Sequence, residues 1–296
     1  MAPSRLGYRH QRVQRLRRLV ARRSARVAEG CFVVEGAKVL GVALDAGATV
    51  ESVYVAPEMV HGDAVAALVE RCVDAGARVF DLEEGVLPRV AGTVSPQAVL
   101  AVVPTTDITL EDLGALAPDL LVVCVDVRDP GNAGAVLRAA EAAGAGGVVS
   151  CGTSVDLFNP KTVRASAGAI FHVPVVAGGP PEEVLEVVGR WGLRRLATVV
   201  RAGEDYTTVD LAAPVSIVVG NEAEGLAPGL EGCLDARVTI PMAGRTESLN
   251  VAMATAVICF EAARQRRAAA VTTPGAPQTV QGAVRPTAPT RATVQP

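Results

Sequence analysis

The sequence carries three short polar segments, each directly after an apolar run, whose side chains could hold and polarise a ligand. The first segment, at 129–139, makes a Pro-Gly turn, then presents Asn132 and, six residues later, Arg138. An amide both donates and accepts hydrogen bonds, and a guanidinium grips phosphate or carboxylate oxygens with two parallel bonds. A helix cap followed by a solvated arginine would give the same pattern, so this segment alone does not distinguish the two interpretations.

The second and third segments have the same character. The second, at 218–226, places Asn221 and Glu222 between Gly220 and Gly225, and glycines allow backbone to approach a ligand closely. The third, at 240–252, leaves a strand at a proline, crosses a loop and enters an apolar helix. Asn250 at the start of that helix is a candidate polar ligand-binding group, but it could equally be a simple helix cap.

These segments sit in an alternating pattern of strands and helices, which predicts an α/β fold. Continuous apolar runs are typical of strands buried on both faces of a sheet. In the second half of the chain the predicted strands lie at 120–125, 148–151, 196–200, 216–219 and 237–240. The predicted helices there lie at 132–143, 159–169, 182–188 and 248–267, the second opened by an Asn-Pro cap.

The first half predicts a smaller α/β domain preceded by a basic helix. Its strands are expected at 31–34, 52–55, 77–80 and 98–103, and its helices at 35–45, 63–74 and 83–90. The predicted organisation is a basic helical arm at 1–27, a small domain at 28–104, a linker at 105–117, a larger domain at 118–267 and a disordered tail at 268–296.

Charge is unevenly distributed along the 296 residues. Residues 1–27 hold nine arginines and no acidic residue, and residues 268–296 hold two arginines and no acidic residue. All 31 acidic residues therefore lie between these segments, and the net charge is only −3. A cationic arm on an acidic body is typical of a protein that binds a polyanion such as nucleic acid.

Several other functions lack their motifs. Only two lysines exist, and neither follows the glycine-rich loop of a nucleotide-binding P-loop. No G-x-G-x-x-G or G-x-S-x-G motif occurs, and the three histidines are too far apart to form a metal site. The six cysteines show no Cys-x-x-Cys spacing, and no apolar run reaches a membrane span or a secretory signal. We expect a soluble cytoplasmic protein with reduced thiols, no membrane contact and no metal.

Taken in order, the motifs Asn-x-Gly-x-x-x-Arg, Gly-x-Glu-x-x-Gly and Ile-Pro-Met-x-Gly-x-x-x-Ser-Leu-Asn-Val-Ala identify a resemblance. The chain resembles the SpoU (TrmH-like) RNA ribose 2′-O-methyltransferases of the SPOUT superfamily over about residues 118–267. Phe-Val-Val-Glu-Gly at 32–36 and Ser-Pro-Gln-Ala-Val at 95–99 are similar to the family's substrate-binding domain, itself similar to kink-turn-binding ribosomal proteins. Gln97-Ala98 departs mildly from the usual Gln-Gly.

The resemblance implies an α/β fold whose C-terminal part forms a deep trefoil knot, a homodimer, and S-adenosylmethionine as cofactor. It implies cofactor contacts from Gly220, Ile240, Met242, Gly244 and Leu249. It places Arg138 at the centre of catalysis, surrounded by Asn132, Glu222, Ser248 and Asn250. The reaction it implies is methylation of a ribose 2′-hydroxyl in RNA, with 23S ribosomal RNA as the expected target.

Alternatives stay open at this point. The RNA could be a tRNA, or the chain could bind RNA without catalysis, although a decayed site should have lost some of Arg138, Glu222 and Asn250. A dinucleotide oxidoreductase is a more distant alternative. The role of the modification, housekeeping or antibiotic resistance, and the identity of the nucleotide are also open. Arginine is almost always protonated, so Arg138 could clamp phosphate rather than act as a base.

Overall fold

The structure, a computed structural model, describes residues 5–91, 95–106 and 108–272. Two β-sheets organise them, one of four strands in the first part of the chain and one of seven strands in the second. The α/β class predicted from the alternating pattern is confirmed.

The first sheet has the strand order β1-β4-β2-β3, with β4 antiparallel to both neighbours and β2 parallel to β3. The elements of this domain are α1 (Gln11–Ala21), α2 (Arg23–Glu29), β1 (Cys31–Glu35), α3 (Ala37–Asp45), β2 (Ser52–Val55), a 3₁₀ turn (Pro57–Met59), α4 (Asp63–Asp74), β3 (Arg78–Asp81), α5 (Val86–Ala91) and β4 (Val99–Pro104).

Other elements pack on both faces of this sheet. Successive side chains of a strand point to opposite faces, so neighbouring residues of β1 belong to different clusters. Cys31 and Val33 of β1 pack with the buried residues of α1 and α5. Phe32 and Val34 point the other way, into a core shared with the second domain. The Phe32 ring lies 5.0 Å from the ring of Phe158, which belongs to that second domain. The two domains therefore share one continuous apolar core.

The N-terminal basic segment is helical, as predicted, but it is not a free arm. Val13, Leu16 and Leu19 form an apolar stripe along α1, and all three are buried against the first sheet. Arg26 is also buried, and its guanidinium bonds to Asp156 of the second domain. Arg26, one of the nine arginines of this segment, is therefore held inside the protein and is not available to RNA.

The second sheet is entirely parallel, with the order β7-β6-β5-β10-β8-β11-β9. Its elements are α6 (Leu110–Ala115), β5 (Leu120–Val125), α7 (Pro130–Ala142), β6 (Gly147–Cys151), α8 (Pro160–Ala165), a 3₁₀ turn (Ala169–Phe171), β7 (Val175–Ala177), α9 (Pro181–Arg190), β8 (Arg194–Thr198), β9 (Glu204–Asp205), β10 (Val215–Val219), a 3₁₀ turn (Pro228–Cys233), β11 (Ala236–Thr239) and α10 (Val251–Thr272).

Helices cover both faces of the central strands, which explains the continuous apolar runs in the sequence. In β5, Leu120, Val122 and Cys124 face α7 and α10, whereas the alternate residues face α6 and α9. Every residue of β5 and β10 is buried as a result.

Two segments are more ordered than the sequence suggested. The polar stretch at 105–117, predicted as a linker, contains α6. This helix begins with a capping box formed by Thr109 and Asp112, and it buries Leu113. The tail predicted to be disordered from 268 is helical through Thr272, because α10 continues past its predicted end. The rest of that tail, 273–296, lies outside the described residues.

Candidate active site

The three polar segments meet at one edge of the large sheet. They follow the carboxyl ends of β5, β10 and β11, which are parallel and lie close together in the sheet. In open α/β sheets, ligands bind outside the carboxyl ends of the strands.

The first segment is held by a helix cap. The Asp129 side chain accepts a hydrogen bond of 2.8 Å from the backbone N–H of Asn132, and Pro130 occupies the first helical position of α7. These are the preferred residue types at the start of a helix. The cap fixes Asn132 in the first turn, next to the strand end.

Three side chains, one from each segment, form a hydrogen-bonded chain that we call the amide relay: Asn250, Asn132 and Glu222. Asn250 Nδ2 donates to Asn132 Oδ1 at 2.8 Å, and Asn132 Nδ2 donates to Glu222 Oε1 at 2.8 Å. These residues are 118 and 90 positions apart in sequence, so only the fold brings them together.

The direction of the amide relay is fixed at both ends. Asn250 Oδ1 accepts from the backbone N–H of Ala252, so its Nδ2 must face Asn132. At the other end an ionised Glu222 carboxylate can only accept. The orientation of both amides therefore follows from groups that cannot be reversed. The relay positions the Glu222 carboxylate over the start of α7.

The second segment is a closed turn. Asn221 and Gly225 exchange two backbone hydrogen bonds, and Asn221 Oδ1 accepts from the backbone N–H groups of Ala223 and Glu224. A β-carbon on Gly220 would lie only 2.5 Å from the carbonyl carbon of Gly225. Glycine at 220 is thus required by the protein's own chain, and the cofactor contact predicted there stays a prediction.

Sequence reasoning missed Asp126. Asp126 has a φ of +55°, a left-handed conformation that is rare outside glycine. Its carbonyl accepts from Asn221 Nδ2 at 3.0 Å, and its Oδ1 accepts from the N–H and Oγ1 of Thr153 at 2.6 and 2.8 Å. Asp126 therefore joins the ends of β5, β6 and β10 below the amide relay. Its place just after a buried strand, three residues before the Asp-Pro-Gly turn, was the available signal.

The structure leaves two predicted catalytic residues outside the amide relay. Arg138 is exposed on α7 and makes no hydrogen bond or ion pair with any residue that the structure describes. Ser248 is exposed in the loop before α10 and likewise bonds to no described side chain. Both side chains are free to meet a ligand in solution.

The residues predicted to contact a cofactor surround the loop between β11 and α10. Ile240 and Leu249 are half-buried at its two ends, whereas Met242 and Gly244 are exposed within it. Within the described ranges, the main chain of 241–249 makes no hydrogen bond to other backbone groups. The loop thus combines two apolar side chains with unpaired backbone donors and acceptors.

Among the residues that the structure describes, no three His, Cys, Asp or Glu side chains are placed to hold a metal ion. None of the described helices is both long and apolar enough to cross a membrane.

Two family models match the chain. Residues 119–260 match the model of the SpoU rRNA Methylase family, and residues 10–101 match that of the MRM3-like substrate binding domain. The chain belongs to the SpoU methylase family.

Particular relatives cover most of the chain. It is 31% identical to the 23S rRNA (guanosine(2553)-2′-O)-methyltransferase RlmP of Bacillus subtilis, over 77% of this chain and 87% of that protein. It is also 31% identical to the 23S rRNA (uridine(2479)-2′-O)-methyltransferase of Streptomyces viridochromogenes, over 90% and 93%. An AdoMet-bound rRNA methyltransferase from Sinorhizobium meliloti superposes with a TM-score of 0.74 at 32% identity, covering 86% of this chain and 95% of that one.

Proposed function

We propose that this protein transfers a methyl group from S-adenosylmethionine to a ribose 2′-hydroxyl of 23S ribosomal RNA. The observation that carries the proposal is the amide relay, which joins all three family motifs at one edge of the sheet. Family membership supports the reaction, and the relatives that act on 23S rRNA support the substrate.

The loop between β11 and α10 fits the cofactor. An adenine needs an apolar slot and a few backbone hydrogen bonds, and this loop has Ile240 and Leu249 beside unpaired main-chain groups. Met242, Gly244 and the backbone of Gly220 complete the predicted set. Bound there, S-adenosylmethionine supplies an activated methyl group on a sulfonium, which is a good leaving group.

The protein's task is then to orient the ribose and handle the hydroxyl proton. The amide relay holds the Glu222 carboxylate as an acceptor facing the site. Its position is set from two sides, by Asn132 and by the closed turn that Asn221 and Asp126 stabilise.

Arg138 supplies positive charge to the same site. Its guanidinium grips the phosphate next to the reacting ribose and stabilises negative charge on the 2′-oxygen. Ser248 lies in the loop between β11 and α10 and contributes a hydroxyl group beside the bound cofactor. Because Arg138 has no partner among the described residues, no internal ion pair competes with the RNA.

The protein acts as a homodimer. Met253 and Phe260 lie seven residues apart on one face of α10 and are 61% and 47% exposed. The opposite face, including Cys259, packs into the core with α7. Exposed apolar side chains beside a site are typical of a subunit interface. We expect Phe260→Glu to convert the dimer to monomers, which light scattering measures directly.

The deep trefoil knot lies in the last part of the domain. Three features support it: β10 lies between β5 and β8, the loop after β11 returns the chain to the opposite helix layer, and α10 packs on α7.

The protein works in the reducing cytoplasm. Burial raises the pKa of Cys151 and Cys259 to about 12, so both thiols stay protonated and inert at neutral pH.

The test incubates purified protein and labelled S-adenosylmethionine with protein-free 23S rRNA and, in a parallel reaction, with tRNA, followed by nuclease digestion and mass spectrometry. We expect one 2′-O-methylated nucleotide. Label in tRNA only would assign the other RNA substrate, and RNA binding without transfer would assign the non-catalytic role.

The amide relay is tested in the same assay. Asn132→Asp removes the donor to Glu222 and places two carboxylates side by side, so we expect at least a ~30-fold loss of transfer. Asn159→Ala is the matched control, because Asn159 also caps a helix but lies at α8, outside the amide relay. It should cost about 1 kcal/mol of stability and leave the transfer rate unchanged.

A further inference from the structure

We propose that the small N-terminal domain holds a pocket for one unpaired nucleobase of the substrate RNA, separate from the methyl-transfer site. This inference rests on the proposed function. The pocket is a cavity of about 420 Å³ between the start of α3, the turn at 57–62 and the start of β4. Ligand pockets of about 300–1,000 Å³ are typical for small organic groups.

The lining of the cavity suits a flat, neutral heterocycle. Met59, Val65 and Val99 form an apolar floor, and Glu58, His61 and Gln97 stand at the rim. None of the described residues that line it is a lysine or arginine, and the rim carries a carboxylate, so a free phosphate or another anion is disfavoured. RNA-binding proteins read unpaired bases by stacking them on ring side chains, histidine among them, and by hydrogen bonds to the base edges; His61 supplies the ring here.

The polar groups of the rim are free to bind. In the part of the chain that the structure describes, the side chains of His61 and Gln97 make no hydrogen bond. A glutamine amide offers one acceptor and two donors, which matches the edge of any base. Glu58 uses one oxygen to accept from the N–H of Gly85, which fixes the carboxylate at the rim.

The pocket is rigidly tied to the methyltransferase domain. Glu35 is buried, with a side chain only 2% exposed, and its Oε1 accepts from the N–H of Gln97 and from Arg164 of α8, both at 3.1 Å. Arg164 Nη1 also donates to the carbonyl of Ser95 at 3.4 Å. Gly36 has a φ of +97°, which residues with a side chain rarely adopt, and a β-carbon there would lie 3.2 Å from Gln97 Cγ. A base held by Gln97 is therefore kept at a set distance from the catalytic edge.

The pocket thus acts as a specificity device. A base captured there positions a neighbouring stretch of RNA so that only one ribose reaches the catalytic edge. This separates the recognised nucleotide from the methylated one.

The first test is photo-crosslinking of the full-length protein to a 23S rRNA transcript, with mass spectrometry of the crosslinked peptides. We expect one nucleotide attached within 57–65 or 96–99, different from the methylated nucleotide. Crosslinks confined to other segments would overturn the proposal.

The second test is a thermodynamic cycle. The double substitution His61→Ala and Gln97→Ala should weaken binding of the transcript about tenfold, as loss of one stacked base does. An abasic site at the crosslinked nucleotide should weaken wild-type binding equally and add nothing in the double variant. Equal weakening of both proteins by the abasic site would contradict the pocket.

Controls separate this proposal from the proposed function. Val73 is exposed on α4, the helix that also carries the lining residue Val65. The neutral substitution Val73→Thr should leave RNA binding unchanged. The double variant should bind S-adenosylmethionine like the wild type. Methyl transfer to 23S rRNA with no crosslink in the cavity refutes the pocket alone. Crosslinking in the cavity with no methyl transfer refutes the proposed function alone.

Discussion

The arginines of the N-terminal helices and Arg138 of α7 differ in the groups that they contact. Arg15 bonds to Glu29 and Glu51, and buried Arg26 bonds to Asp156 and to the carbonyls of α1. Arg138, by contrast, has no partner among the described residues. A guanidinium with carboxylate partners is already neutralised, whereas a free one can bind RNA phosphates.

This difference changes how the basic N-terminal segment is tested. Deleting residues 1–27 would remove the buried stripe of α1 and the interdomain bond of Arg26, so the deletion would unfold the small domain. Substitution of single arginines is the appropriate experiment. We call arginines that bond to carboxylates engaged, and arginines without such partners among the described residues free. The comparison predicts large stability effects from substituting engaged arginines, and binding or rate effects from substituting free ones.

The largest effect is expected at Arg26. Arg26→Ala leaves Asp156 without its partner in a site where the two side chains are only 5% and 13% exposed. Breaking a buried ion pair costs about 3–5 kcal/mol, and thermal unfolding should show it as a drop of roughly 10 °C.

The matched control is Arg71→Ala. Arg71 also bonds to a carboxylate, Asp45, at 2.6 Å, but both side chains are more than half exposed. Exposed pairs contribute about 0–1 kcal/mol, so the melting temperature should hardly change. An equal drop in melting temperature in the two variants would show that burial of the ion pair does not determine how much each arginine stabilises the protein.

The next effect concerns Arg138. Arg138→Ala should lose at least ~100-fold in single-turnover methyl transfer, because a preorganised cationic donor is removed from the developing charge. Arg138→Lys should recover little, since an ammonium lacks the two-pronged geometry. Melting temperature and S-adenosylmethionine affinity should stay unchanged, because the side chain is exposed and makes no hydrogen bond or ion pair with a described residue. Full activity in Arg138→Ala would reduce it to a solvated helix residue.

How far sequence alone predicts this molecule depends on the range of the interactions. Local and periodic signals located β2, α4 and β5 at their observed bounds, because apolar runs and turn glycines act within a few residues. The burial of Arg26 depends on Asp156, 130 positions away, and no local pattern encodes that contact.

The site shows the same limit. The sequence identified Asn132, Glu222 and Asn250 through their motifs, but their hydrogen bonds and direction follow from three strand ends meeting at one edge. Asp126 was missed because its role is a backbone conformation rather than a side-chain pattern. Glycine at 220 was interpreted as space for a ligand, whereas the space is filled by the turn at Gly225.

A smaller effect on stability is expected from substituting Glu51. Its pH dependence tests the ion pair that Glu51 makes with the engaged Arg15. Hydrogen bonds from Arg15 lower the pKa of the Glu51 carboxyl below its ordinary value of 4.5. A lowered pKa in the folded state means that the stabilisation is present above pH 4.5 and disappears as the pH falls through the folded-state pKa. Glu51→Gln should cost about 1 kcal/mol near pH 7. The loss should shrink as the pH falls below 4.5, which denaturant titration at several pH values measures.

The smallest effect is expected from two exposed arginines that lack carboxylate partners in the described structure, Arg22 between α1 and α2 and Arg23 at the start of α2. They belong to the free class although they lie among engaged arginines. Replacing both with alanine should weaken binding to 23S rRNA about threefold and reduce the slope of log affinity against log salt by about 1.5, since each phosphate contact releases counterions. The methylated nucleotide should stay the same, because phosphate contacts carry no sequence information. An unchanged salt slope would show that RNA does not reach the N-terminal helices, and a shifted methylation position would show that these arginines select the substrate.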